Sequence, residues 1–133
     1  YSGECDVAII NHYYYGKLTY SKNPDHRKWA KASIIVFPNQ GPGDRGAHVN
    51  ISGGGVVKFS KNKETATKFL EFLVTDEAQI LYGDVNFEYP INNKSKLPKR
   101  LKALGTFKED SLLIEDIAKL APKAQEIIDT VYW

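Results

Sequence analysis

Apolar residues in this chain fall into short runs, and the polar punctuation between them alternates strand-like with helix-like segments. Residues 5–10, Cys-Asp-Val-Ala-Ile-Ile, end in four consecutive apolar positions bounded by polar ones, which predicts a short buried strand. Asn11 is a good N-cap for a helix over residues 12–20, with Gly16 working against it. A turn at Asn23-Pro24 leads to a second short helix over residues 25–32. Residues 33–37 predict another apolar strand, and residues 38–46, dense in Pro, Gly, Asn and Asp, a loop. Alternation predicts a strand over residues 47–52, and a further short one is expected over residues 56–59.

The helical period is clearest after Asn62. Ala66, Phe69, Leu70 and Leu73 recur at i, i+3, i+4 and i+7, with Glu64 in the first turn. Thr75 can cap a following helix, where Asp76 and Glu77 suit the positive end of the dipole and Gly83 gives a stop. Helices are also expected over residues 97–104 and 111–120, and Pro122 opens a last one at an N1-like position. Strands mixed with helices, joined by connections long enough for crossovers, predict an α/β fold.

Composition narrows the function classes. Eighteen basic against sixteen acidic residues leave a formal charge of +2, too small to argue for nucleic acid. The grouping of Lys94, Lys96, Lys99, Arg100 and Lys102 reads as a solvated surface. Cys5 is the single cysteine, so an intrachain disulfide is impossible, and a small buried thiol is expected. No apolar stretch reaches the roughly 18 residues needed to span a bilayer. The chain opens at Tyr1 and has no Met, which suggests a processed chain or a piece of a longer one. The sequence also predicts no enzyme. It has no G-x-S-x-G, and Gly53-Gly54-Gly55 lacks the Lys-Ser/Thr of a phosphate loop. His12, His26 and His48 have no i, i+4 pairing, which makes a zinc site a poor expectation.

Tyr13, Tyr14 and Tyr15 directly follow the first apolar run. Packing accounts for part of such a triplet, since tyrosine is commonly half-buried. Metal chemistry is the alternative. Phenolate is a hard oxygen donor suited to a highly charged cation, and binding drives off a proton that otherwise leaves near pH 10. Adjacent residues on a helical turn differ by about 100°, so two neighbouring phenols can converge on one ion while a third turns away.

The segments CDVAIINHYYYGKL, GAHVNISGGGVVKFSKNKETATKFLEFLVTDEAQ and FEYPIN resemble the C-terminal portion of bacterial periplasmic ferric-iron-binding proteins, the substrate-binding components of iron ABC transporters. The resemblance implies part of a two-lobed α/β periplasmic-binding-protein fold (class II, transferrin-like) with Fe(III) in the interlobe cleft. It assigns residues 1–45 to the second lobe, residues 46–85 to a segment crossing back toward the first, and residues 86–133 to helices packing near the second. It implies Tyr13 and Tyr14 as the phenolate ligands. Tyr15 is left to packing beside them. Spacing alone puts Lys17, four residues after Tyr13 and three after Tyr14, over the same helical face as an outer support, and Asn11 reads first of all as the helix cap. The implied partners are an ABC transporter membrane permease and the remaining N-terminal portion of the same protein, which supplies further ligands. Nucleic acid and a direct membrane span are not expected. The implied location is the periplasm, or a lipid-anchored extracellular position in a Gram-positive host. Two phenolates leave most of a ferric ion's coordination sphere to water, so the 133 residues alone are expected to hold iron weakly. The alternative is the same fold serving ferrous iron or a small organic anion, where Lys17 and Arg45 would matter more, or a ligand-sensing domain.

Overall fold

The structure, a computed structural model, describes residues 1–132. Six helices run in chain order: α1 (His12–Thr19), α2 (Pro24–Lys31), α3 (Lys63–Leu73), α4 (Asp76–Val85), α5 (Lys99–Lys102) and α6 (Ile114–Val131). The chain forms two compact units. One comprises Tyr1–Val36 and Gly53–Thr106, and the other comprises Phe37–Ser52 and the stretch from Phe107 onward.

In the first unit α1 packs against α2, and α4 against α3 and α5. Asn23 caps α2 by accepting from the Asp25 amide at 2.9 Å, with Pro24 in the first turn, where its missing N–H costs nothing. Thr75 caps α4 by accepting from the Ala78 amide. Gln79, nearly buried, donates to the Leu73 carbonyl at 2.7 Å and accepts from the Ile91 amide at 2.9 Å, tying the α3–α4 corner to the following loop. Phe87, Leu101 and Leu104 form the core, with Tyr13, Tyr15, Tyr89 and Leu97 packed on it. α4 continues through Gly83 to Val85 rather than stopping at the glycine. A Cβ at Gly83 would stand 2.8 Å from Pro98 Cγ, so the residue is there for close approach.

In the second unit, Gln40 and Lys108 exchange two hydrogen bonds, Nε2 to carbonyl at 3.0 Å and amide to Oε1 at 2.6 Å. Phe37 stacks on Phe107 with ring centroids 4.4 Å apart. Gly46 has φ +99°, and a Cβ there would collide with the Glu109 carbonyl. Arg45 pairs with Asp110 at 2.7 Å. α6 is a single helix that carries Pro122 inside it. The two helices expected over residues 111–120 and from Pro122 are therefore one, with the proline leaving one backbone acceptor without its intrahelical donor.

The strand expectations need correction. Among the described residues the only ladder contact is an isolated parallel bridge between Ala47 and Glu109. Apart from that bridge at Ala47, residues 5–10, 33–37, 47–52 and 56–59 have no strand partners among the described residues, and Cys5 is exposed. Val7 is 85% exposed and Ile34 84%. A strand exists only through hydrogen bonds to a neighbour, and among the described residues these segments find no ladder beyond the single bridge at Ala47. The helix expected over residues 97–104 shortens to α5, pinned by the fully buried Leu101. Among the described residues, no helix is long and apolar enough to cross a membrane.

Candidate metal centre

The tyrosine triplet occupies the first turn of α1. Asn11 precedes it in an extended conformation (φ −73°, ψ 135°) at the N-cap position, but its side chain makes no capping bond. Instead Asn11 Nδ2 donates to the Tyr13 hydroxyl at 3.1 Å. The expected cap is thus an amide turned onto a phenol oxygen, leaving the positive end of the short helix beside the two rings.

The three phenols separate. Tyr13 is half-buried against the core, and its ring lies 4.5 Å from that of Tyr14 at an interplanar angle of 46°. Tyr14 is 51% exposed. Tyr15 turns toward α2, where its hydroxyl donates to the carbonyls of Ser33 at 3.2 Å and Ala30 at 3.4 Å. Lys17 Nζ stands over the Tyr13 ring, 5.2 Å from its centroid.

The pair is electrostatically coupled. The hydrogen bond with Tyr13 is the largest influence holding the Tyr14 phenol protonated above its ordinary value of 10.0; repulsion by Tyr13 charge and partial burial act the same way. Two phenolates side by side repel, so a cation must provide the stabilisation that lets both ionise. Burial likewise raises Tyr89, whose hydroxyl donates to the Gly105 carbonyl at 2.7 Å. Among the described residues, no group of three or more His, Cys, Asp or Glu side chains gathers as a metal site. Tyr13 and Tyr14 bring two hard oxygen donors onto one helical turn.

The sequence reading misses Phe87, and it places His12 next to the tyrosines but projecting elsewhere on the turn. His12 turns its Nε2 to the Phe87 carbonyl at 2.6 Å, with its ring 5.1 Å from that of Tyr89 and 6.0 Å, edge-on, from that of Tyr13. Phe87 lies beneath α1, and a Cβ on Gly16 would stand 2.5 Å from Phe87 Cγ. Gly16 inside a predicted helix was the one signal of that approach. Nothing local marked Phe87 as its cause. Arg45, weighed as an anion holder, is in the second unit and engaged with Asp110.

Comparison with known proteins gives the geometry its context. Iron uptake protein A1 of Synechocystis sp. is 39% identical over 132 residues, covering 99% of this chain and 36% of its own length. A ferric binding protein from Campylobacter jejuni superposes with a TM-score of 0.84 at 43% identity, covering 93% of this chain and 39% of its own. A Trichodesmium protein (IdiA, FutA), solved in complex with iron and citrate ligands, gives 0.83 at 44% identity over 93% of this chain and 39% of its own. The chain therefore spans well under half the length of the relatives it matches. They are binding and uptake proteins rather than enzymes, and the likenesses bear out the fold class: part of a two-lobed, transferrin-like periplasmic-binding-protein fold. The family model described as bacterial extracellular solute-binding protein matches residues 1–80, and the chain belongs to that family.

Proposed function

We propose that this chain contributes the tyrosine ligands of a ferric-iron-binding protein that delivers iron to the membrane permease of an ABC transporter, with Tyr13 and Tyr14 binding Fe(III) as phenolates. One observation carries the reading. Two phenols with rings 4.5 Å apart share the first turn of α1, one of them half exposed, while the third phenol of the triplet is engaged with the carbonyls of Ala30 and Ser33. That is the division a two-phenolate site requires. Relatives named for iron uptake and ferric binding support the choice of metal. Asn11 holds the Tyr13 oxygen, Tyr15 anchors the turn, and Lys17 covers the Tyr13 ring. The remaining ligands come from the rest of the protein. In the same reading residues 1–45 belong to the second lobe, residues 46–85 cross back toward the first, and residues 86–133 pack near the second. The working location is the periplasm, or an extracellular lipid-anchored position.

Ferric titration of the full-length protein tests this. A visible phenolate-to-iron charge-transfer band is expected, and Tyr13→Phe and Tyr14→Phe should each weaken binding and diminish the band. Unchanged affinity and an unchanged band in both variants would refute the ligand assignment.

A further inference from the structure

Phe87 meets α1 at His12 and Gly16 and meets Tyr20 just past the helix end. Its backbone has φ +62°, in the left-handed region that a bulky residue rarely occupies, and it is only 4% exposed. Three residues spaced by four meet it. His12 Nε2 lies 2.6 Å from the Phe87 carbonyl, and because a carbonyl can only accept, that nitrogen carries the proton. Gly16 offers bare backbone to the ring; a Cβ there would stand 2.5 Å from Cγ and 2.7 Å from Cδ1. Tyr20, just past the helix end, stacks on the ring at 5.5 Å and 14°.

Spacing of i, i+4, i+8 puts these three contacts on one stripe of the helix. Tyr13 leaves α1 one position after His12, with its ring 6.0 Å from the imidazole, and Tyr14 leaves one position later still. Rotation of α1 about its axis would swing both phenols. The same rotation would break the His12 hydrogen bond and carry side-chain-bearing positions of the helix onto the Phe87 ring in place of Gly16.

We propose that Phe87 and His12 form a clamp that fixes the rotation of α1, and with it the direction in which Tyr13 and Tyr14 present their oxygens. His12 is then a positioning residue for the metal pair. This rests on the reading of the two tyrosines as ferric ligands. A ferric ion demands fixed oxygen positions, and partners that orient metal ligands typically change affinity by about 10–100-fold when removed.

The test uses the full-length protein with ferric iron, following both affinity and the charge-transfer band, with Tyr14→Phe in parallel. His12→Leu, close in size but without a donor, should weaken binding at least about tenfold and displace the band. His12→Gln, which keeps a donor of similar reach, should recover most of both. If Tyr14→Phe loses affinity and band while His12→Leu matches the wild type in both, the clamp is refuted and the iron reading survives. If Tyr13→Phe and Tyr14→Phe leave both unchanged, the iron reading itself falls, and the clamp with it. Failure of His12→Gln to recover either quantity also refutes the hydrogen bond's role. Should His12→Leu fail to fold, Tyr20→Leu at the exposed end of the stripe decides: weakened binding with a displaced band supports the clamp, and wild-type values refute it.

Discussion

Replacing Gly16 with alanine sets two effects of opposite sign against each other. In an exposed helix interior, Gly→Ala stabilises by about 1 kcal/mol through lower backbone entropy in the unfolded chain. Here the new methyl would meet Phe87 Cγ at 2.5 Å, Cδ1 at 2.7 Å and Cβ at 3.0 Å. These atoms lie near the base of the side chain, where rotation gives little relief. The ring is buried and stacked on Tyr20, and its backbone already sits at φ +62°. Overpacking of this kind costs about 1–3 kcal/mol, and the rigid neighbour places it toward the upper end. The net expectation is a loss of about 1–2 kcal/mol. Urea denaturation of the full-length protein, comparing midpoints at equal m-value, measures it. A midpoint equal to or higher than that of the wild type would show that propensity outweighs contact, and the close approach of Phe87 to α1 would be refuted.

Three further expectations follow from named contacts. Tyr13→Phe removes the hydrogen bond and the charge that hold Tyr14 above 10.0, so Tyr14 should ionise at lower pH in an ultraviolet titration; an unmoved titration would contradict the coupling. In the wild type the folded chain keeps that proton longer than the unfolded chain, so this group's contribution to stability declines as pH rises beyond the ordinary tyrosine range. Asp110 lies below its ordinary 3.8, chiefly because it accepts from the Leu112 amide and also because Arg45 is beside it, whereas burial opposes the shift. Its contribution is complete above 3.8 and lost as pH falls through the lowered folded value, so Asp110→Asn should flatten the acid limb of a melting-temperature profile; an identical limb would refute this. Gln79→Ala strands the Leu73 carbonyl and the Ile91 amide, and two lost hydrogen bonds at about 1 kcal/mol each predict a destabilisation of about 2 kcal/mol by urea denaturation, with no change as the contrary result.

The helices were the legible part of the fold because their causes are local. α3 follows a 3.6-residue period after Asn62, α4 follows Thr75 at its N-cap with Asp76 and Glu77 in the first turn, and α2 follows Asn23-Pro24. The apolar runs at residues 5–10 and 33–37 have strand composition, but pairing depends on distant chain and is not written in the run itself. Pro122 misled because its fixed φ suits both a helix start and, at a cost, a helix interior. The phenol chemistry was legible from residue type and adjacency. Tyr15 is expected to pack apart from the pair, but that its hydroxyl goes to the carbonyls of Ala30 and Ser33 depended on chain 15 and 18 residues away. The link from His12 to Phe87 spans 75 residues, and its one local trace is Gly16 inside α1.

The unpaired apolar runs carry a consequence for how the chain behaves among its own copies. Val7, Ile9, Ile34, Val36, Val57 and Phe59 stand in solvent on backbone whose amides and carbonyls have no ladder partner. Such segments are adhesive in two ways at once, through apolar side chains and through open hydrogen-bonding edges. In concentrated solution the 133-residue chain is therefore a colloidal hazard to itself, and whatever satisfies those edges decides whether it stays dispersed.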